Sequence, residues 1–225
     1  MKAPPFAYAR AESVEDALAL LADGGEDAKL LAGGQSLVPL LAYRLARPSH
    51  LVDIDRLPGL DGIAVGGGGE LALGALVRHA QLEQAKLDGA WSLLAQAAGH
   101  VGHLPIRTRG TLGGSLAHAD PSAELPLALL ALDGRVVAAS RDGEREIAAA
   151  DLLTGPFTTS LEPAEMLVGA CVPAPPGRSA GAFAELAIRA GDFALVAVAA
   201  AVAVDERGRV VWARLGLGGV DATPV

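Results

Sequence analysis

Ile106-Arg107-Thr108-Arg109-Gly110-Thr111-Leu112-Gly113-Gly114-Ser115-Leu116-Ala117-His118-Ala119-Asp120-Pro121 sets three glycines, two arginines and several short hydroxyl or acidic side chains between two apolar, helix-compatible segments. Glycine lets backbone N–H groups approach a ligand closely and take φ > 0, which a side chain would forbid. Successive N–H groups in such a turn make a concave nest for anionic oxygen, and Thr111 and Ser115 add hydroxyls beside it. The stretch predicts a phosphate-holding loop, with the rest of the chain building the other walls.

A second glycine turn lies upstream. Lys29 to Ala32 reads as a buried strand running into Gly33-Gly34-Gln35-Ser36, and Leu37 to Leu41 follows as a short helix with Pro39 tolerated in its first turn. Strand, double glycine and helix start is the arrangement that sets free N–H groups and a positive dipole end against an anion. One Gly-Gly turn is common. Two, each with a hydroxyl and an apolar segment after it, are either ordinary turns or a clamp on both phosphates of a dinucleotide. No G-x-G-x-x-G opens a helix, and no Gly-Lys-Ser/Thr follows Gly33-Gly34, which argues against a Rossmann dehydrogenase and a triphosphate loop.

Around these turns the chain alternates short strands and helices. Phe6 to Ala9 and Leu51 to Ile54 are strands, and Ser13 caps a helix to about Leu21 that Gly24-Gly25 ends. Ile63–Val65 with Glu70–Leu73, around Gly66 to Gly69, and Arg135–Ser140 with Glu144–Ile147, around Asp142-Gly143, read as hairpins. Arg78–Lys86, Trp91–Ala98 and Ala123–Ala131 read as helices, and Met166–Val172 as a strand. Pro173 to Gly177, with three prolines in five residues, is the best domain boundary. Beyond it come Ala182–Ile188, an apolar run from Phe193 to Val204 that is either buried or covered by a partner subunit, and a hairpin (Ala201–Val204, Arg209–Leu215). Strands in local hairpins mixed with helices predict an α+β fold rather than a regular βαβ alternation.

Composition narrows the function. A net charge of −8 without a basic stripe argues against nucleic-acid binding. The single cysteine, Cys171, allows neither a disulfide framework nor a four-cysteine iron–sulfur cluster held by this chain alone. The longest apolar run is too short for a membrane span, and Met1 to Pro5 lacks the apolar core of a signal peptide, so a cytoplasmic location is expected. Ser115, His118 and Asp120 crowd into six residues, yet a triad converges from distant parts of a chain, and G-x-S-x-G fails at Ala117 and at Val38. His100 and His103 lack a third ligand at metal spacing and read as imidazoles at a helix end; His50 and His79 read as surface residues. Arg107 and Arg109 either steer phosphate or form structural ion pairs. Neither a catalytic residue nor a metal site is predicted.

Leu31-Ala32-Gly33-Gly34-Gln35-Ser36-Leu37-Val38-Pro39-Leu40-Leu41, with Arg44-Leu45, Pro48 and Leu51-Val52-Asp53-Ile54 after it, resembles the N-terminal signature of one flavoprotein family. Ile106 to Pro126 is similar to its second signature, and Gly191-Asp192-Phe193-Ala194 and Leu217-Gly218-Gly219-Val220 also resemble it. The family is the FAD-binding medium subunit of molybdenum hydroxylases, typified by aerobic carbon monoxide dehydrogenase and related to the xanthine dehydrogenase flavin domain. The resemblance implies a two-subdomain FAD-binding fold of the vanillyl-alcohol-oxidase type over 1–176 (subdomains about 1–57 and 58–176). Residues 177–225 would then begin a C-terminal domain that is cut short, since family members continue further.

What the resemblance implies for the site is specific. The first turn (Ala32, Gly33, Gly34, Gln35, Ser36, with Leu37) and the second (Thr111, Leu112, Gly113, Gly114, Ser115) would bind the FAD pyrophosphate through their backbones. Glu124 would meet the adenosine ribose, Val101 and Gly102 would pass the flavin or adenine, and Leu167 would pack nearby. Asp120 is a further candidate that can equally cap the next helix. Thr108 replaces a usual asparagine, and Ala184 stands where eukaryotic xanthine enzymes carry a flavin-side lysine, so that contact is not carried over. Electrons would arrive from a [2Fe-2S] small subunit beside a molybdenum-cofactor large subunit, in a dimer of heterotrimers, and leave for quinone, NAD or oxygen. A stand-alone FAD oxidoreductase of this fold, as in peptidoglycan-precursor reductases, would need a proton donor that the sequence does not single out. A non-catalytic assembly subunit that has lost FAD is the third reading.

Overall fold

A computed structural model describes residues 2–225. The first unit runs β1 (Ala7–Arg10), α1 (Val14–Asp23), β2 (Ala28–Leu31), α2 (Leu37–Ala42) and β3 (His50–Asp53). Ser13 starts α1 by accepting the Asp16 N–H at 3.1 Å, and Gly24 closes it with its own N–H on the Leu20 carbonyl. The three strands are parallel in the order β1-β3-β2, with Tyr8 beside Leu51 and Leu30 beside Val52. This corrects the expectation of hairpins without βαβ alternation: over the first 53 residues the chain does alternate, with α1 between β1 and β2 and α2 between β2 and β3, the crossovers that parallel strands require. The Lys29–Ala32 strand is also only partly buried, as an edge strand of this sheet.

The second unit comprises β4 (Ile63–Val65), β5 (Leu71–Gly74), α3 (His79–Glu83), α4 (Ser92–His100), α5 (Leu104–Arg107), α6 (Leu112–His118), α7 (Glu124–Ala131), β6 (Arg135–Ser140), β7 (Gly143–Ala148), α8 (Ala149–Leu152), β8 (Leu153–Gly155), β9 (Thr158–Thr159) and β10 (Met166–Val172). Its main sheet is antiparallel in the order β4-β5-β10-β6-β7, with both predicted hairpins in place. Leu76, Ala139 and Met166 of this unit share a core with Ala17, Leu18 and Val52 of the first. That shared apolar patch fixes how the two units face each other.

Past Pro173, β11 (Arg178–Leu186), β12 (Val196–Val204) and β13 (Val210–Gly218) form an antiparallel sheet. One hydrophobic cluster runs from Leu71 and Leu93 through Leu127 to Ala197, Ala199 and Ala201, so this sheet packs on the second unit's helices. The small residues have a reason. A Cβ on Gly216 would stand 2.8 Å from Leu127 Cδ1, and one on Gly218 would stand 3.1 Å from Leu127 Cδ2. Alanine and glycine let α7 lie close to the strands. Of the Phe193–Val204 run, Val196–Val204 is therefore a strand with one buried face, and the run is not a wholly buried element. Its other side and its neighbours leave Val202, Leu186, Val210 and Leu215 exposed.

Candidate functional site

The two glycine turns meet. A Cβ on Gly33 would stand 2.8 Å from the carbonyl carbon of Arg109 and 2.9 Å from Gly110 Cα, with the Arg109 oxygen closer still. No side chain fits between them. The approach is held by Arg78, whose guanidinium donates to Asp55 Oδ1 at 2.8 Å and to the Arg109 carbonyl, while Arg109 itself stands 3.5 Å from Asp55. Asp55 follows β3, so one carboxylate ties the first unit to the second turn. For Arg109 the ion-pair reading holds.

The first turn offers donors. Gly34 takes φ +73°, and Gln35 folds back to donate its side-chain amide to the Gly33 carbonyl at 3.0 Å. Among the described residues no backbone or side-chain acceptor takes the N–H groups of Gly33, Gly34, Gln35 or Ser36. Ser36 opens α2 with no bond from its hydroxyl to that helix. Four N–H groups without protein partners, on a turn that Gln35 and Ser36 leave exposed, suit an anionic oxygen.

The second turn is built differently from the expected nest. Gly110, Gly113 and Gly114 are not among the positive-φ glycines, and the last two lie inside α6. Thr111 caps that helix through Oγ1, which accepts the Gly114 N–H at 3.1 Å. The N–H groups of Leu112 and Gly113 go to the carbonyls of Val77 and Ala75, and that of Ser115 to Thr111. Glycine is needed at 113 for proximity, since a Cβ there would stand 2.8 Å from Ala75 Cβ. The second turn thus supplies a rigid wall and the Ser115 hydroxyl more than free backbone donors.

Val101 and Gly102 end α4, with Gly102 at φ +47°. Arg107 holds them, donating to both carbonyls (3.3 and 3.0 Å) and to both oxygens of Glu83 (2.8 and 3.3 Å). This arginine is structural and largely buried. Arg107→Ala is expected to lower unfolding stability by about 2 kcal/mol, since it orphans a carboxylate and two carbonyls. Arg107→Lys should recover only part, having no fork; urea unfolding of the three chains checks both.

Beside Gly102 opens a cleft of about 310 Å³ lined by His100, His103, Arg107, Glu185 and Gly191. Glu185, on β11, is almost wholly buried; its Oε1 lies 3.2 Å from His100 Nδ1 and its Oε2 has no partner. Gly191 sits at φ +85° against the His103 ring. The third sheet therefore closes a cleft begun by the second unit, and no sequence motif marks Glu185 as part of it. Glu124, first residue of α7, is 8% exposed, and burial, with the Glu185 and Asp120 charges adding, raises its pKa to about 7. Asp120 accepts the Ser122 N–H at 2.9 Å in a local turn ahead of α7; it does not cap that helix, whose N-cap is Ala123 with no side-chain bond. Leu167 is buried in the core where β10 shifts register. His79 is no surface residue. It is 5% exposed, covered by the second turn.

A family model described as the FAD binding domain in molybdopterin dehydrogenase matches residues 4–175. The chain is 50% identical over 226 residues to the 6-hydroxypseudooxynicotine dehydrogenase complex subunit alpha of Paenarthrobacter nicotinovorans, covering all of this chain and 76% of that one. It is 41% identical over 220 residues to the nicotine 6-hydroxylase medium subunit of the same organism, covering 97% and 76%. Among solved structures, carbon monoxide dehydrogenase from Hydrogenophaga pseudoflava superposes with a TM-score of 0.94 at 35% identity, over all of this chain and 78% of that one.

Proposed function

The chain belongs to the family of FAD-binding domains of molybdopterin dehydrogenases, and from that membership we propose that it serves as the flavin-bearing medium subunit of a molybdenum hydroxylase. The observation that carries the site assignment is the meeting of Gly33 with Arg109–Gly110, which brings four free N–H groups to the wall built by Thr111–Ser115. The FAD pyrophosphate lies on Ala32 to Leu37, against Thr111, Leu112, Gly113, Gly114 and the Ser115 hydroxyl. Glu124 receives the adenosine ribose, and Val101, Gly102 and Leu167 border the ring system, with Asp120 at the margin.

Bound flavin accepts electrons from one partner and passes them to another. The chain's own part is to bind, orient and shield. Arg107 keeps the Val101–Gly102 bend in one shape, and Arg78 keeps the two turns in contact. The finer fold reading is the vanillyl-alcohol-oxidase type, supported by a parallel three-stranded unit followed by an antiparallel five-stranded one. Residues 1–57 and 58–176 are its subdomains, and 177–225 begin the C-terminal domain. The partners are a molybdenum-cofactor large subunit and a [2Fe-2S] small subunit in a dimer of heterotrimers, supported by relatives named as complex or medium subunits. No described helix is long and apolar enough to cross a membrane, in keeping with a cytoplasmic complex.

Titrating the purified chain with FAD, followed by quenching of flavin fluorescence, tests the assignment. Saturable binding and a yellow protein are expected, and a chain that stays colourless refutes it. Gly114→Ala should weaken binding about tenfold, because its Cβ would stand 2.8 Å from the capping Thr111 Oγ1 at the exposed rim. Ser115→Ala, which loses one hydroxyl, should weaken it about threefold. Equal losses would count against this geometry.

A further inference from the structure

We propose that His79 is the positioning residue of the clamp: its imidazole sets the spacing of the two glycine turns from beneath while holding the Thr111 carbonyl. The inference rests on the reading that these turns hold the FAD pyrophosphate.

The ring packs directly against the second turn. A Cβ on Gly110 would stand 2.7 Å from both Cε1 and Nδ1 of His79, so the imidazole already touches that glycine's bare face. Gly33 presses on the same Arg109–Gly110 segment. The Arg109–Gly110 segment is thus in contact with both the imidazole and Gly33. A thinner or thicker side chain at 79 changes where the second turn sits relative to the first.

The hydrogen bonds fix the ring's orientation. Nε2 lies 2.9 Å from the Thr111 carbonyl oxygen, which only accepts, so Nε2 carries the proton. The His79 backbone N–H goes to the Gly110 carbonyl at 3.1 Å, giving one residue two holds on consecutive carbonyls of the turn. Nδ1 is left buried without a partner. Burial, together with the nearby Arg107 and Arg78 charges, lowers the imidazole pKa and keeps the ring neutral. Those arginines are themselves paired, with Glu83 and Asp55.

An unpartnered buried nitrogen is a cost to folding that an aliphatic side chain would avoid. The Thr111 carbonyl would not be stranded by losing the imidazole, because it also accepts the Ser115 N–H at 3.0 Å. Stability and ligand binding should therefore separate at this position. An aliphatic replacement keeps the fold and loses the geometry of the turn.

The experiment compares the full-length wild-type chain with His79→Leu, His79→Gln and Gly110→Ala, measuring apo-protein thermal unfolding and the FAD dissociation constant. His79→Leu is expected to unfold at the wild-type temperature or above it and to bind FAD about tenfold more weakly, a loss of about 1.4 kcal/mol. His79→Gln, whose amide can donate to the Thr111 carbonyl, should recover most of that affinity. Gly110→Ala, which presses on an intact imidazole, should weaken FAD about as much as His79→Leu. Full affinity in His79→Leu overturns the proposal. So do FAD losses in His79→Leu and His79→Gln that merely follow lost thermal stability. A wild-type chain that takes up no FAD overturns the clamp reading itself, and this inference with it.

Discussion

Gly33→Ala is expected to raise the FAD dissociation constant at least about 100-fold, equivalent to about 2.7 kcal/mol. The added methyl has nowhere to go: it would stand 2.8 Å from the Arg109 carbonyl carbon and 2.9 Å from Gly110 Cα, both backbone atoms. A flexible side chain could swing aside; this peptide cannot. It is held by Arg78 at the Arg109 carbonyl and by His79 at the Gly110 carbonyl. The only relief is to move β2 and the turn after it away from the second unit, which carries the four free N–H groups off the wall. Gly34→Ala is the useful contrast. It meets only side-chain atoms (Val38 Cγ2 at 3.1 Å, Leu31 Cδ1 at 3.3 Å) but sits at φ +73°, so its cost is local strain. Gly33→Ala should therefore lose FAD more severely than Gly34→Ala, read by flavin fluorescence. The reverse order would show that the turn's conformation, not its contact with Arg109, governs binding.

The elements were legible where local chemistry decides them. Ser13 and Gly24 bound α1, Asp142-Gly143 turns β6 into β7, and alternation marks the strands. The two glycine motifs were legible as a pair, and the family match covers them. What each glycine does was not. At positions 110 and 113 the sequence suggests φ > 0, whereas the structure uses the missing Cβ for contact with His79 and Ala75. A glycine has one letter for both uses, and only the tertiary neighbour tells them apart. His79 was missed for the same reason. Nothing between Val77 and Leu82 signals that residues some thirty positions later will cover it. Glu185 is a similar case: its alternating strand predicts a face, not the cleft that the helix carrying His100 builds against it.

Glu124 gives the largest expected pH effect on the apo chain. Its carboxyl titrates at about 7 in the folded protein against an ordinary 4.5, because burial penalises its charge and Glu185 and Asp120 add repulsion. The sign follows. Below pH 4.5 the group is protonated folded or unfolded, and stability does not depend on it. Between 4.5 and 7 the unfolded chain releases a proton that the folded chain keeps, so stability falls as pH rises. Above about 7 the loss is complete, at roughly 3 kcal/mol by linkage. Glu124→Gln keeps the shape and removes the titration. It should match wild type in urea unfolding at pH 4 and exceed it by about 3 kcal/mol at pH 8. The ribose contact proposed for this carboxyl points the other way. Hydroxyl donors favour the charged form, so FAD binding near pH 6.5 should release a proton in wild type and none in the glutamine variant, as buffers of different ionisation enthalpy would reveal in calorimetry. A variant more stable without FAD yet weaker in holding it is what a binding carboxylate buried at a folding cost should produce. If wild type and Glu124→Gln lose stability in parallel from pH 5 to 8, the proton resides elsewhere, and the ribose contact loses its electrostatic basis.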